Sequence, residues 1–149
     1  MRDVREKQDI LRGLFKEQRL AVLATSKGGH PYSNLVAFAA VEDLRHLLFA
    51  TDRSTRKYAN ITEEARVSLL IDDRSNTDAD FGNSIAVTAM GRAAEVRGAE
   101  RTDLLKVYLA RHPQLHEFVT SPACALMMVH VHTYYLSGFH TVTELQMND

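Results

Sequence analysis

The sequence has little of several residue types, and each shortage narrows the class of protein. Its single cysteine, Cys124, excludes an internal disulfide and any zinc site that needs several thiolates, and its apolar setting, ACALMMV, predicts a buried side chain. Eighteen basic and nineteen acidic residues leave no excess positive charge for binding nucleic acid or an anionic membrane. No apolar run approaches the roughly 20 residues that cross a bilayer. The charged start, MRDVREKQD, does not resemble a signal peptide, so we expect a cytoplasmic protein.

The rest of the composition is typical of one globular domain. Of 149 residues, 45% are hydrophobic and 25% are charged, with only 3 prolines and 7 glycines. A chain of this length can bury a single core. We therefore expect one domain over residues 1–149.

Short apolar runs separated by turn residues predict a series of strands. They are LAVLATS, residues 32–41, HLLFAT, ARVSLLIDD, SIAVTAMGRAAEV and the final ACALMMVHVHTYYLSGF. Gly28 and Gly29 fit a hairpin turn between the first two strands, and Gly91 fits a β-bulge. The polar stretch 72–84 has no hydrophobic period and predicts a long loop.

Two segments have helical periodicity instead. Apolar residues at helical spacing predict an amphipathic helix from Val4 to Gln18. The same spacing returns over residues 99–119, where Pro113 divides a helical insertion in two. Six or seven antiparallel strands with inserted helices favour a mainly β protein built as a small barrel, because closure removes exposed strand edges.

One polar cluster stands out between HLLFAT and a short predicted helix. It consists of Ser54, Thr55, Arg56 and Lys57, and we call it the 54–57 cluster. At a helix start, free backbone N–H groups, hydroxyls and two cations would together suit a phosphate dianion. The alternative is a solvated helix start in which the cations pair with Glu63 or Glu64. No Walker loop or dinucleotide-binding glycine motif occurs in the chain.

The histidines are weaker candidates. His130 and His132 alternate in a predicted strand, a spacing that could chelate a metal if a third ligand were available, but no matching motif predicts a metal site. The remaining candidate, His140, lies in the motif SGFHTV near the C-terminus.

From Phe15 to Leu136, the order of motifs resembles the pyridoxamine 5'-phosphate oxidase-like superfamily of FMN-binding split barrels. The matching features are a leading helix, the Gly-Gly hairpin with PYSNLVAF, a strand ending at Thr51, the cluster itself, AxVSLLI and MGRA. RSTRKYANI and SGFHTV look most similar to the haem-utilisation branch. The resemblance implies a Greek-key split barrel that binds FMN and uses it for flavin chemistry.

The resemblance also implies a role for individual residues. The FMN phosphate would be bound by Thr55, Arg56 and Lys57, with Ser54 as an extra donor. The ribityl chain or phosphate would be lined by Ala50 and Thr51. The flavin ring would run along the backbone of Asn34, Leu35, Val36 and Ala37. His140 would donate to the ring or to substrate, and the family's site at a subunit interface implies a homodimer.

Departures from the family narrow the activity. Relatives that oxidise pyridoxamine phosphate carry an arginine where Asn34 stands and a tryptophan near the C-terminus, and this chain has no tryptophan. We therefore expect an FMN-dependent oxidoreductase that acts on another small molecule by electron or hydride transfer. No catalytic acid or base is identified. The alternatives are a non-catalytic flavin or haem binder or sensor, and a reductase that uses the deazaflavin F420.

Overall fold

The structure is a computed structural model that describes residues 3–147. The helices are α1 (Val4–Glu17), α2 (Arg56–Glu63), α3 (Asp80–Asn83), α4 (Glu100–Arg111) and α5 (His116–Thr120). The strands are β1 (Leu20–Lys27), β2 (His30–Ala40), β3 (His46–Asp52), β4 (Arg66–Asp72), β5 (Ala86–Glu95), β6 (Cys124–Ser137) and β7 (Val142–Gln146).

The strands form one antiparallel sheet that closes into a barrel. Their order is β3-β2-β1-β4-β5-β6-β7, and β3 also pairs with β6, so six strands form a closed ring and β7 adds to its outside edge. The chain passes through β1, β2 and β3 in sequence and then returns to place β4 beside β1. The predicted mainly β split barrel, with its N-terminal helix and helical insertion, is confirmed.

Strand β6 takes part in both closure and extension of the sheet. Its first half pairs with β3, from Cys124 to His130, and its second half pairs with β7, from Thr133 to Ser137. Between the two halves lies a bulge, because Gly91 pairs with Val131 while Met90 pairs with Thr133. The predicted bulge at Gly91 is therefore real, although the extra residue, His132, is on the partner strand.

Two details differ from the sequence prediction. Strand β7 lies beyond the region in which strands were predicted, and the predicted loop 72–84 contains the short helix α3. Both elements are too short for hydrophobic periodicity to distinguish them from turns.

The interior of the barrel is apolar and continues into α1. Phe15 of α1 packs edge-on against Phe38 of β2, with ring centroids 5.6 Å apart, and also contacts the Tyr134 ring. A second apolar cluster lies outside the barrel, beneath α4 and α5, and includes Cys124, which is buried as predicted. The helical insertion thus covers the outer face of β2, β3 and β6.

The C-terminal end of α4 is attached by polar contacts to the main chain of two other elements. The Arg111 guanidinium donates to the carbonyl oxygens of Phe15 and Gln18, at 3.2 and 2.7 Å. The His112 Nε2–H donates to the Phe38 carbonyl at 2.7 Å, and His112 is only 1% exposed. These contacts fix α4 against both α1 and β2.

The close approach at Gly91 leads to a stability prediction. A β-carbon at this position would lie 2.2 Å from the His130 carbonyl oxygen, so Gly91→Ala must displace backbone. We expect the free energy of unfolding to fall by about 2 kcal/mol or more. Gly13→Ala in α1 is the control, because its β-carbon meets nothing within 4 Å and should add about 0.5–1 kcal/mol. Urea unfolding measures both, and an unaltered midpoint for Gly91→Ala would contradict the close approach.

The burial of His112 leads to a pH prediction. Burial lowers the pKa of His112, so the folded protein resists protonation at a pH where the unfolded chain, with a pKa of about 6.5, accepts a proton. The contribution of His112 is therefore complete above about pH 6.5 and decreases as the pH falls below it. Urea unfolding from pH 7.5 to 5 should show a smaller loss of stability in His112→Gln than in the wild type. The exposed His116→Gln should behave as wild type; equal pH slopes in all three proteins would refute the prediction.

Candidate functional site

The barrel opens where β2 and β3 separate. Their ladder has three residue pairs, from Ala40 with Leu47 to Phe38 with Phe49. Beyond Phe49, β3 continues to pair with β6 as far as Asp52, whereas β2 continues to pair with β1 as far as His30. We call the gap between residues 34–37 and residues 50–52 the β2–β3 opening. The strand residues that the resemblance assigned to a cofactor border this opening on both sides.

The 54–57 cluster forms a helix start, as predicted. Thr55 is the N-cap of α2 and accepts a hydrogen bond from the Tyr58 N–H at 3.4 Å, and Arg56 and Lys57 are the first helical residues. The Thr55 hydroxyl donates to the Asp52 carbonyl at 2.9 Å and lies 2.8 Å from the Thr51 hydroxyl. Both threonine side chains therefore shape the turn in this structure, and Thr51 is buried.

Ser54 is held by an acidic residue that the sequence analysis missed. Its backbone N–H and its hydroxyl both donate to the same Asp52 carboxylate oxygen, at 2.8 and 2.6 Å. These bonds hold the pKa of Asp52 below its usual range. The spacing Asp-x-Ser is the local signal for this turn. A negative charge thus lies two residues before the cluster.

The two cations of the cluster lack carboxylate partners. Glu63 pairs with Lys27 and Glu64 pairs with Arg66, so neither makes the contact expected of a solvated helix start. Within residues 3–147, no salt bridge involves Arg56 or Lys57. The half-buried Lys57 has a pKa lowered by burial, as expected for an ammonium without a counterion.

A second network supports the turn from behind. Arg53 forms a two-point contact with Glu95 of β5, and the shorter of its bonds is 2.7 Å. The Tyr58 hydroxyl donates to the same carboxylate at 2.8 Å. The Arg53 bond holds the pKa of Glu95 below its usual range. Because Glu95 neutralises Arg53, the cations left to attract an anion here are Arg56 and Lys57.

The guanidinium of Arg56 brings the cluster against β2. It lies 5.7 Å from the centre of the Tyr32 ring, two residues before Asn34. The cluster and the strand residues of the predicted site therefore belong to one region. Neither Tyr32 nor Glu95 was predicted, because the contacts of both are made between segments distant in sequence.

The four predicted residues of β2 differ in what they present to the opening. Asn34 is half-buried; its amide nitrogen donates to the Leu35 carbonyl at 3.4 Å, and its buried amide oxygen has no partner in the described part of the chain. Leu35 is 64% exposed, whereas Val36 is buried in the core and offers only its backbone. The Ala37 carbonyl accepts a hydrogen bond from the Tyr108 hydroxyl at 3.0 Å. On the opposite side, Ala50 is buried beneath α4.

His140 is not near the 54–57 cluster in this chain. It is exposed in the turn between β6 and β7, where its ring contacts Phe139, at the opposite end of β6 from the Asp52–Cys124 pair. His130 contacts the ring of His46, and His132 hydrogen-bonds to Thr133. Within residues 3–147, no three histidine, cysteine or acidic side chains are grouped to hold a metal.

A well-formed groove lies elsewhere on the surface. It has a volume of about 570 Å³ and is lined by parts of α1, the end of β2 and α4, including Arg12, Lys16 and Arg111. None of the predicted cofactor residues lines it.

Sequence comparison identifies the family. The family model described as pyridoxamine 5'-phosphate oxidase matches residues 8–137. The chain belongs to this family. No functionally curated protein matches it in sequence.

Solved structures show the same fold at low sequence identity. A haem-binding protein from Mycobacterium smegmatis matches with a TM-score of 0.84 and 16% identity, over 98% of this chain and 59% of that protein. General Stress Protein 26 from Bacillus anthracis matches with a TM-score of 0.70 and 20% identity, over 93% of this chain and 98% of that one. A FAD-binding protein from Mesorhizobium loti matches with a TM-score of 0.68 and 15% identity, over 91% and 89% of the two chains. The family fold thus occurs in flavin-binding and haem-binding proteins.

A helix that crosses a membrane must be both long and apolar. Among residues 3–147, no helix has both the length and the apolar character required to cross a bilayer.

Proposed function

We propose that this chain is a cytoplasmic FMN-binding flavoprotein, formed by one domain over residues 1–149, that transfers electrons or hydride to or from a small molecule. The observation that carries the proposal is the pair of cations, Arg56 and Lys57, that have no carboxylate partner within residues 3–147 and lie at the start of a helix beside the β2–β3 opening. Family membership supports the same assignment.

The charge arrangement favours a phosphate group at the 54–57 cluster. Two cations in the first turn of α2 oppose the helix dipole, and a bound dianion would reverse this unfavourable effect. Arg56 would supply a planar pair of donors and Lys57 a compact charge. To donate to the phosphate, the Ser54 hydroxyl would have to release its hydrogen bond to Asp52. The negative charge of Asp52 would weaken phosphate binding by repulsion and would disfavour the binding of a further anion.

The strand side of the opening fits the flavin ring. Among residues 3–147 the buried Asn34 amide oxygen has no donor, and a flavin has a ring N–H that could supply one. Ala37 carries a small side chain and is half-buried, which permits a flat group to approach its backbone, whereas Ala50 is covered by α4. Bound FMN would supply the redox chemistry, while the protein residues bind it, orient it and restrict solvent around it.

A second copy of the chain would complete the site. An outward-facing row crosses five strands in register: Leu35, Val22, Leu70, Thr88 and Tyr135. Its leucines and Tyr135 are exposed, and a contiguous apolar surface of this kind marks an interface. The row begins next to Asn34, so a partner covering it would also cover the edge of the opening. In such a dimer, His140 of one subunit can serve the site of the other.

The phosphate assignment predicts the effect of removing both cations. Arg56→Ala with Lys57→Ala should raise the Kd for FMN by about 100-fold or more, because two charge-assisted contacts are lost. Quenching of flavin fluorescence during titration measures the Kd. The matched control, Arg66→Ala with Arg74→Ala, removes the same charge from surface arginines paired with carboxylates and should change the Kd little. Unchanged affinity in the first variant would mean that the cluster is only a solvated helix start.

The absorption spectrum of the purified protein, with mass spectrometry of the released ligand, tests the cofactor itself. Flavin bands near stoichiometric amounts support the proposal, and reduction by NADH or NADPH separates an oxidoreductase from a binding protein. Binding of F420 without FMN would replace the cofactor but keep the site. A protein that binds no flavin would refute the proposal.

The apolar row predicts a dimer that depends on it. Leu35→Glu with Leu70→Glu should convert the protein to a monomer and weaken FMN binding, because two charges would be buried without partners. Sedimentation velocity measures the oligomeric state. Phe118→Glu, an exposed position on α5, is the control and should stay dimeric. A wild-type monomer, or a dimer that survives the double substitution, would place the interface elsewhere.

Haem binding is the second candidate function. It is favoured by the similarity to the M. smegmatis haem-binding protein and by the exposed His140, which lies beside the Phe139 ring and is free to reach a ligand or a partner surface. A Soret band in the purified protein that is lost in His140→Ala would support it, whereas flavin bands alone would favour the first function.

A further inference from the structure

The β2–β3 ladder ends at the pair Phe38–Phe49, although the strands could form one more pair in the same register. The pairs Ala39–Leu48 and Phe38–Phe49 place Ala37 opposite Ala50 if the register is continued. Because the Val41 N–H donates to the His46 carbonyl, backbone groups at positions 41, 39 and 37 of β2 face β3 in turn. The Ala37 carbonyl would therefore accept from the Ala50 N–H in an uninterrupted ladder.

A side chain of α4 takes this place instead. The Tyr108 hydroxyl donates to the Ala37 carbonyl at 3.0 Å, and the neighbouring Ala50 backbone acts to lower the pKa of the same phenol. Tyr108 is 1% exposed and lies in the apolar cluster with Ala39, Leu48 and Ala50. The phenol oxygen thus bridges the two strands at the point where their direct pairing stops.

We propose that Tyr108 is a positioning residue for the cofactor site, because its hydroxyl takes the ladder position between Ala37 and Ala50 and so sets where the barrel opens. This inference rests on the proposed FMN function. It assigns to the helical insertion the role of holding the ring-binding strand in place.

Tyrosine suits this position for a chemical reason. Burial raises the pKa of Tyr108 to about 12, so its hydroxyl remains a neutral donor at any pH at which the protein is handled. Without the hydroxyl, the Ala37 carbonyl would either remain buried and unpaired or pair directly with Ala50. Direct pairing would extend the ladder and narrow the opening beside Asn34.

The rest of α4 keeps the hydroxyl in register. Arg111 and His112 follow Tyr108 by about one turn and bond to the carbonyls of Phe15, Gln18 and Phe38. Tyr108 and His112 therefore contact consecutive carbonyls of β2, one on each side of the strand. The helix cannot slide along β2 without breaking both bonds.

The decisive variant is Tyr108→Phe, and the chain offers a matched control in Tyr134→Phe. Tyr134 is also fully buried and its hydroxyl also donates to a backbone carbonyl, that of Leu44, at 2.7 Å. Both variants lose one buried hydroxyl bond, so both should be destabilised to a similar degree. Only Tyr108→Phe should raise the Kd for FMN, by about tenfold, and shift the flavin absorption bands, since only this bond borders the opening.

Hydrogen exchange of the Ala50 amide, measured by NMR without ligand, tests the bridge separately. Faster exchange at Ala50 in Tyr108→Phe than in Tyr134→Phe, together with the selective change in Kd, supports the proposal. Equal effects of the two variants on FMN, or none from Tyr108→Phe, would overturn the positioning role. If the wild type binds no FMN, the proposed function fails and the positioning role fails with it, while the exchange at Ala50 still shows whether the phenol forms the bridge.

Discussion

The end of the β2–β3 pairing is the constraint on which the candidate site depends. Strand β3 pairs with β6 along its whole length but with β2 over only three residues, so closure on one side is matched by separation on the other. Every backbone carbonyl exposed by such a separation needs a partner. Side chains provide them: Tyr108 at Ala37, Asn34 at Leu35 and the two threonine hydroxyls at Asp52. The edges of the opening are therefore stable without a paired strand.

The charges near the opening divide into two groups with different roles. Arg53 is neutralised by Glu95 and serves the structure of the turn, since the same carboxylate also binds Tyr58. Arg56 and Lys57 lack a carboxylate within residues 3–147 and remain available to a ligand. Neighbouring arginines thus differ in function because one reaches β5 and the other faces β2. A count of basic residues in the segment would not separate them.

Local patterns were sufficient to predict most of the fold. Strand periodicity, the Gly-Gly hairpin and the helix start at Thr55 depend on residues close in sequence, and all are present. Strand β7 was missed because it is short and its apolar alternation covers only five residues after the turn that follows β6. The site was predictable only in part. The 54–57 cluster is contiguous in sequence, whereas the other residues around the site, Glu95, Tyr32 and Tyr108, come from distant segments. Asp52 was also missed, although its Asp-x-Ser turn is a local signal that could have identified it.

Two residues assigned to the proposed ligand, Asn34 and Lys57, carry polar groups that lack a partner within residues 3–147. Within residues 3–147, two buried side-chain oxygens have no hydrogen-bond partner, one on Asn34 and one on Thr143. Lys57 is half-buried and has no counterion within residues 3–147. Other charged side chains form the six ion pairs found among these residues. A folded chain tolerates such local conflicts mainly at functional sites. A single ligand with a phosphate and a hydrogen-bonding ring would supply partners for both Lys57 and Asn34, which neither a lone anion nor an apolar molecule can do.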